Sequence, residues 1–126
     1  MASLTTTGEN RALEWLLAGT PTAPVGPLAV ALVTALGTDT TAGTEVVGGS
    51  YARQTLSTSA VSGGAATNSA DLSWTGMPAV TVVGVEIWDS AGTPIRWWHG
   101  PLDAPRDLTA GDELRIPGGD LTLAID

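Results

Sequence analysis

The sequence predicts a mainly β protein: an antiparallel β-sandwich, or a barrel-like sandwich, with one short N-terminal α-helix. Two observations support this fold class. Apolar residues recur with a period of two in short segments between about residues 28 and 125, and clusters of Gly, Pro, Asp and Ser separate these segments. Only residues 6–18 combine helical spacing with start and stop signals. Because 126 residues suit one domain with a single core, we expect residues 1–126 to form one domain.

The predicted helix has a recognisable beginning and end. Thr6-Thr7-Gly8-Glu9 matches a capping box with Thr6 as the N-cap, and Gly19 supplies the stop. An apolar stripe at helical spacing lies between them, formed by Ala12, Leu13, Leu16 and Leu17. This stripe predicts that the helix docks on the sheet. Trp15 lies at the margin of the stripe, so core packing and a protein interface both remain open for it.

Several short strands follow the helix. The predicted strands comprise residues 28–36, 50–59, 70–75, 80–88, 94–99, 114–116 and 121–125. Residues 80–88 carry the strongest strand pattern, and the turn-forming residues 89–93 make this segment a hairpin with residues 94–99. Pro117-Gly118-Gly119-Asp120 predicts a second hairpin between the last two strands.

Trp97 and Trp98 are the first candidates for an interface. Adjacent strand residues point to opposite faces, so we expect one of the two in the core and the other at the surface or in an interface. Arg96 is expected to cover apolar surface with its aliphatic stem. His99 is the only histidine, and we interpret it as a polar strand end rather than a catalytic base.

Composition excludes several function classes. The chain has thirteen acidic and five basic residues and a net charge of −8, which disfavours nucleic acid as a partner. There is no cysteine, and no apolar run approaches the roughly 20 residues that span a bilayer. The C-terminal acids lack the regular spacing of a calcium loop; they include Asp103, Asp107, Asp112 and Glu113. We therefore expect no enzyme activity, no metal, no cofactor and no membrane partner.

Residues 48–54 form the most distinctive segment. Gly48-Gly49 is expected to adopt backbone angles closed to other residues and to turn a polar loop into a strand. Regular alternation would then place Tyr51 and Arg53 on one face of that strand. These two residues are candidates for contact with a partner subunit, and the segment is interpreted as a structural corner rather than an active site.

Several motifs carry a family resemblance. They are Thr-Thr-Gly-Glu-Asn at 6–10, Gly-Thr-Glu-Val-Val-Gly-Gly-Ser-Tyr-Ala-Arg-Gln at 43–54, residues 62–71, Val-Gly-Val-Glu-Ile-Trp-Asp at 83–89, and the stretches 110–114 and 119–123. Together they resemble a family of small virion proteins of tailed phages, and they cover nearly the whole chain. The family has no catalytic residues to carry over.

The resemblance implies a structural role in the virion. Our first hypothesis is a capsid decoration protein that forms a homo-oligomer, binds the outer face of the major capsid protein shell and stabilises it. The alternative is a minor tail or tail-fibre component that binds other tail proteins. A third hypothesis, from another class, is a carbohydrate-binding module or a small enzyme. The interface candidates for the first are Trp15, Tyr51, Arg53, Trp97 and Trp98.

Overall fold

The computed structural model describes residues 2–19 and 23–125. Within these two ranges, one α-helix and ten strands follow in the order β1 (Ser3–Leu4), α1 (Thr6–Ala18), β2 (Ala29–Ala35), β3 (Thr44–Glu45), β4 (Gln54–Thr55), β5 (Ala65–Thr67), β6 (Leu72–Trp74), β7 (Thr81–Trp88), β8 (Arg96–Asp107), β9 (Leu114–Ile116) and β10 (Thr122–Ala124). The predicted mainly β fold with one N-terminal helix is confirmed.

Two sets of antiparallel strands enclose the core, as in a β-sandwich. The larger sheet has the order β1-β8-β7-β2-β3. β4 also pairs with β2, at Ala29 and Val30, whereas β3 pairs with it at Val33 and Ala35. The other set consists of two separate pairs, β5 with β10 and β6 with β9. Side chains from both sets meet in one buried cluster that includes Val30, Leu32, Ile87, Trp74 and Leu123. The predicted sandwich is therefore present, although most of its strands, other than β8, are shorter than expected.

The predicted hairpin between the last two strands is wrong. The strand at 114–116 pairs with β6, in the register Leu72 to Ile116, and the strand at 122–124 pairs with β5. The Pro-Gly-Gly-Asp segment between them therefore connects two different strand pairs. Turn-forming residues mark a change of direction, but they do not determine which strand lies alongside.

The hairpin of β7 and β8 is confirmed, with two differences from the predicted pattern. A register shift between Val82 and Gly84 brings Val82 into the core beside Val85 and Ile87, where regular alternation would place Val83. The second strand continues beyond His99 to Asp107. The extension contains Pro101 and Pro105. β8 tolerates them because β1 pairs with it only at residues 98 and 99, so among the described residues one side of the extension is a free edge that needs no backbone N–H donor.

The helix begins one residue earlier than the capping box predicted. Thr5, not Thr6, is the N-cap: its Oγ1 accepts a hydrogen bond from the Gly8 amide at 3.1 Å. The same hydroxyl donates to the Arg96 carbonyl at 2.8 Å, and Thr5 is buried. Gly19 ends the helix in the left-handed conformation, as predicted. Because Thr5 bonds to both α1 and β8, it attaches the start of the helix to the sheet.

Thr5→Ala is expected to lower the free energy of unfolding by about 1–2 kcal/mol, because both the helix cap and a buried hydrogen bond are lost. Urea denaturation followed by circular dichroism measures this change. Thr7→Ala is the matched control, since Thr7 is exposed and lies inside the helix. Equal effects of the two substitutions would contradict the assigned N-cap.

Candidate interaction surface

The apolar stripe of α1 does not face the sheet, contrary to the sequence prediction. The side chains of Leu13, Leu16 and Leu17 are 54%, 71% and 78% exposed, and Ala12 is only half-buried. We call Leu13, Leu16 and Leu17 the outer stripe. A helical face of this kind normally packs against another surface, so the described part of the chain leaves the outer stripe without a cover.

The helix approaches the sheet through a glycine instead. A Cβ atom added at Gly8 would lie 2.9 Å from Leu4 Cδ2 and 2.9 Å from the backbone oxygen of Trp97. Gly8 therefore permits an approach that a larger residue would block. This close approach lies in the first turn of α1, whereas Leu13, Leu16 and Leu17 farther along the helix are exposed.

An apolar groove of about 390 Å³ lies between α1 and β8. Its lining includes Trp15 from the helix, Trp97 and Trp98 from the sheet, and Ile125 near the C-terminal end. Arg11 is the charged residue in the lining. The structure thus brings together three of the five predicted interface residues in one place, which we call the groove.

The three tryptophans differ in exposure. Trp15 is 57% exposed, whereas the sequence interpretation left core packing open for it. Trp97 is buried and Trp98 is half-buried, so neither is fully at the surface. The sequence analysis expected one of the two in the core and the other at the surface; instead Trp97 is buried, Trp98 packs half-buried against the core, and both line one groove.

Internal hydrogen bonds fix Trp97 and Trp98 in place. Trp97 Nε1 donates to Asp89 Oδ2 at 3.1 Å, and Trp98 Nε1 donates to the Ala124 carbonyl at 3.2 Å. Burial alone raises the pKa of Asp89, but hydrogen bonds from the Ile95 amide and the Trp97 indole outweigh it, so the pKa lies below its usual value. Both indole N–H groups are therefore used within the protein, and the groove offers a partner mainly apolar surface.

Tyr51 and Arg53 belong to a different cluster. The Tyr51 hydroxyl donates to Glu45 Oε2 at 2.6 Å and accepts from the Leu32 amide at 3.0 Å. Arg53 donates from Nε and Nη2 to the two Glu45 oxygens at 3.0 and 2.8 Å, and its guanidinium lies 4.7 Å from the ring centroid of Trp88. Neither Tyr51 nor Arg53 lines the groove.

The predicted strand at 50–59 is mostly absent, since within it only Gln54–Thr55 forms a strand and Thr58 adds an isolated bridge to Asn68. Tyr51 is half-buried because its hydroxyl reaches the backbone of β2. Burial and the hydrogen bond to Glu45 raise the Tyr51 pKa above its usual value. The cluster holds the chain segment between β3 and β4 against the sheet.

Glu45 gives this cluster a testable pH dependence. Burial raises the Glu45 pKa, but hydrogen bonds from Arg53 and Tyr51 outweigh it and hold the pKa below 4.5. A folded-state pKa below the unfolded value stabilises the protein above pH 4.5, and this stabilisation is lost as the pH falls through the folded-state pKa. The free energy of unfolding of Glu45→Gln should therefore fall less steeply than that of the unsubstituted protein below pH 4.5. Urea titrations at a series of pH values measure this, and parallel curves would contradict the assignment.

Gly48 and Gly49 form the predicted corner, with φ of 109° and 56°. A Cβ at Gly49 would lie 2.5 Å from the Gly76 oxygen. The expectation that these glycines adopt angles closed to other residues is confirmed. Position 49 therefore requires glycine for two reasons: its backbone is left-handed, and there is no room for a Cβ atom.

The described residues contain little that could support catalysis. His99 Nε2 lies 2.7 Å from Asp39 Oδ1, and the Asp39 side chain is exposed. Asp112 accepts hydrogen bonds from the Thr109 amide and hydroxyl, and Asp107 accepts one from Thr81 at 2.6 Å. Across residues 2–19 and 23–125, no group of three or more His, Cys, Asp or Glu side chains is placed to hold a metal ion. No helix in that part of the chain has both the length and the apolar character needed to cross a membrane.

Sequence reasoning missed a buried ion pair. Arg96 Nη1 lies 3.2 Å from Glu86 Oε2, with the two side chains 7% and 2% exposed. Glu86 Oε2 also accepts from the Gly43 amide at 2.7 Å, and Arg96 donates to the Thr38 carbonyl. Arg96 therefore anchors the loop after β2, beyond the apolar covering predicted for it. Opposite charges on adjacent strands were the available signal, because Glu86 and Arg96 lie on the two arms of the predicted hairpin.

The fold and the surface define a class of protein: a small, mainly β protein whose described residues leave an apolar helix face uncovered. Comparison with protein families makes this specific. A family model described as Podophage GP4 fiber I protein gp80 matches residues 3–124. The chain belongs to this family of tailed-phage fibre proteins, and it is accordingly a virion protein. A search of curated proteins found no match.

Proposed function

We propose that the chain is a structural component of a phage tail fibre. The observation that carries this proposal is the match of a fibre-protein family over residues 3–124. It supports the tail-fibre alternative of the sequence analysis better than capsid decoration, because the matched family is described as a fibre protein. The role is to connect proteins within the particle rather than to catalyse a reaction.

The outer stripe and the groove are the surfaces through which the chain binds its neighbours. Exposed apolar patches on a small acidic domain mark protein interfaces, since leaving them in water is unfavourable. The partners are tail proteins and further copies of the chain itself. Tyr51 and Arg53 lie outside this surface, and both bind Glu45, which holds their segment on the sheet.

The groove favours a protein partner over a glycan. Sugar binding combines a stacking aromatic face with free polar groups that orient the hydroxyls. The indole nitrogens of Trp97 and Trp98 are already hydrogen-bonded internally. Trp15 alone presents a largely exposed ring in the groove.

Gold labelling of intact particles tests the proposed location. An antibody against the folded chain should label the tail and leave the head unlabelled. Label at regular positions on the head would overturn the tail proposal in favour of capsid decoration, and particles without label would overturn both. An antibody against the major capsid protein is the positive control for the head.

A further inference from the structure

We propose that the outer stripe of one copy of this chain binds in the groove of a second copy, in a head-to-tail contact. The inference refines the proposed function, since it rests on the chain acting as an assembled fibre component, and it specifies which surfaces join the copies. The two halves of the contact are present on every copy: Leu13, Leu16 and Leu17 project from α1, and the groove opens beside the same helix.

The area that must be covered favours a contact that uses both surfaces. Three exposed leucines form an apolar patch of roughly a few hundred Å², whereas a stable interface buries about 800 Å² on each partner. A contact between two outer stripes alone would leave the groove empty. In a head-to-tail arrangement each copy gives its outer stripe to one neighbour and its groove to the other, so both apolar surfaces are buried.

The charges beside the two surfaces are complementary. Glu14 lies with Leu13 and Leu17 along the outer face of α1, while Arg11 lines the groove. Arg11 forms no ion pair within residues 2–19 and 23–125. When the outer stripe of one copy enters the groove of another, Glu14 arrives near Arg11 of the second copy. This pair partly offsets the repulsion between copies that each carry a net charge of −8.

The groove lining also argues for an aliphatic occupant. Small-molecule sites usually combine apolar walls with several converging polar groups. Here the walls come from Leu4, Trp97, Trp98 and Ile125, and Arg11 is the charged group. Leucine side chains match such a lining.

A head-to-tail contact can repeat with each copy that is added. The copies form a closed ring when the rotation from one copy to the next adds up to a full turn.

Light scattering after size-exclusion chromatography tests the contact on the purified full chain. The unsubstituted protein should have the mass of an oligomer, and Leu16→Glu with Leu17→Glu should be a monomer with an unchanged circular dichroism spectrum. Val47→Glu and Val61→Glu are matched controls, because these valines are 84% and 77% exposed and lie outside α1 and the groove. They should keep the oligomer mass. A monomeric unsubstituted protein, or an oligomer that survives both leucine substitutions, would overturn the proposal.

A mixing experiment distinguishes a head-to-tail contact from a face-to-face one. Ala12→Glu, the groove variant, places a carboxylate in the groove and leaves the outer stripe intact. If Ala12→Glu disturbs the helix, Ala23→Glu replaces it, because Ala23 also lines the groove and is exposed. Alone, the groove variant and the leucine variant should each be monomeric. Mixed, they should form a dimer, since one supplies the outer stripe and the other supplies the groove. A groove variant that still self-associates, or a mixture that stays monomeric, would overturn the head-to-tail contact.

Charge reversal tests the proposed ion pair. Glu14→Arg should weaken association about two- to fivefold, as expected for a partly exposed pair, and Arg11→Glu in addition should restore it. Failure of the double variant to recover would contradict the placement of Glu14 beside Arg11. The tail-fibre proposal is tested by a different experiment. Gold label on the head would overturn the tail location, whereas the light-scattering masses would still test the contact between copies.

Discussion

Arg96→Met is expected to lower the free energy of unfolding by about 3–5 kcal/mol, which is the usual cost of removing one partner from a buried ion pair. Glu86 is 2% exposed, and its carboxylate would lose the guanidinium that lies 3.2 Å away. The amide of Gly43 would remain as a donor to the same carboxylate oxygen. The loop after β2 would also lose the bond from Arg96 to the Thr38 carbonyl.

Two further variants separate the buried charge from the lost packing. Glu86→Gln combined with Arg96→Met removes both charges and should recover part of the loss, because no unpaired carboxylate remains. Arg115→Met is the control: Arg115 and Asp71 also form an ion pair, but they are 56% and 46% exposed, so water screens the pair and its loss should destabilise the protein far less. Urea denaturation measures all three. Similar losses for Arg96→Met and Arg115→Met would contradict the special role of the buried pair.

Gly49→Ala should lower the free energy of unfolding by about 2–5 kcal/mol. The left-handed backbone at φ 56° costs an L-residue about 1–2 kcal/mol. The added Cβ would lie 2.5 Å from the Gly76 oxygen and 2.9 Å from the Pro78 nitrogen, and overpacking of this kind costs roughly 1–3 kcal/mol more. Both neighbours are backbone atoms, so relief requires a movement of the chain.

Gly63→Ala isolates the backbone contribution. Gly63 has φ of 62°, close to that of Gly49, but a Cβ there would meet no atom within 4 Å. The difference between the two substitutions in urea denaturation measures the steric part alone. If Gly49→Ala destabilised no more than Gly63→Ala, the close approach of the corner to Gly76 would be contradicted.

The fold class was predictable because its signals are local. Gly19 ends the helix as expected, and the residues 80–88 form a hairpin with the following strand because an apolar alternation flanks turn residues. Pairing between distant strands carries no such local signal. The strand at 114–116 pairs with residues 72–74, and nothing in its own residues distinguishes this partner from the adjacent strand at 122–124.

The candidate surface was predicted only in part, for a physical reason. The second half of α1 is apolar on two sides, with Trp15 on one and Leu13, Leu16 and Leu17 on the other. Periodicity therefore could not indicate which side docks. The deciding residue is Gly8, whose missing side chain lets the first turns approach Leu4. A hydrophobicity pattern gives glycine little weight, so the sequence analysis placed the leucines inside.

Tyr51 and Arg53 show a second limit of sequence reasoning. Regular strand alternation predicted a shared face, but the backbone there is not a strand, and Glu45 gathers both side chains. The acidic partner lies six and eight residues earlier in the chain. Such a pairing depends on the path of the corner at Gly48 and Gly49, which strand periodicity does not describe.

A cryo-EM map of the intact particle tests the central claim most directly, since it shows both where the chain lies and what covers its helix. The account predicts density for the chain in the tail, with Leu13, Leu16 and Leu17 of each copy seated in the groove of a neighbouring copy. Density at lattice positions on the head, or a helix whose leucines face solvent in the assembled particle, would contradict it.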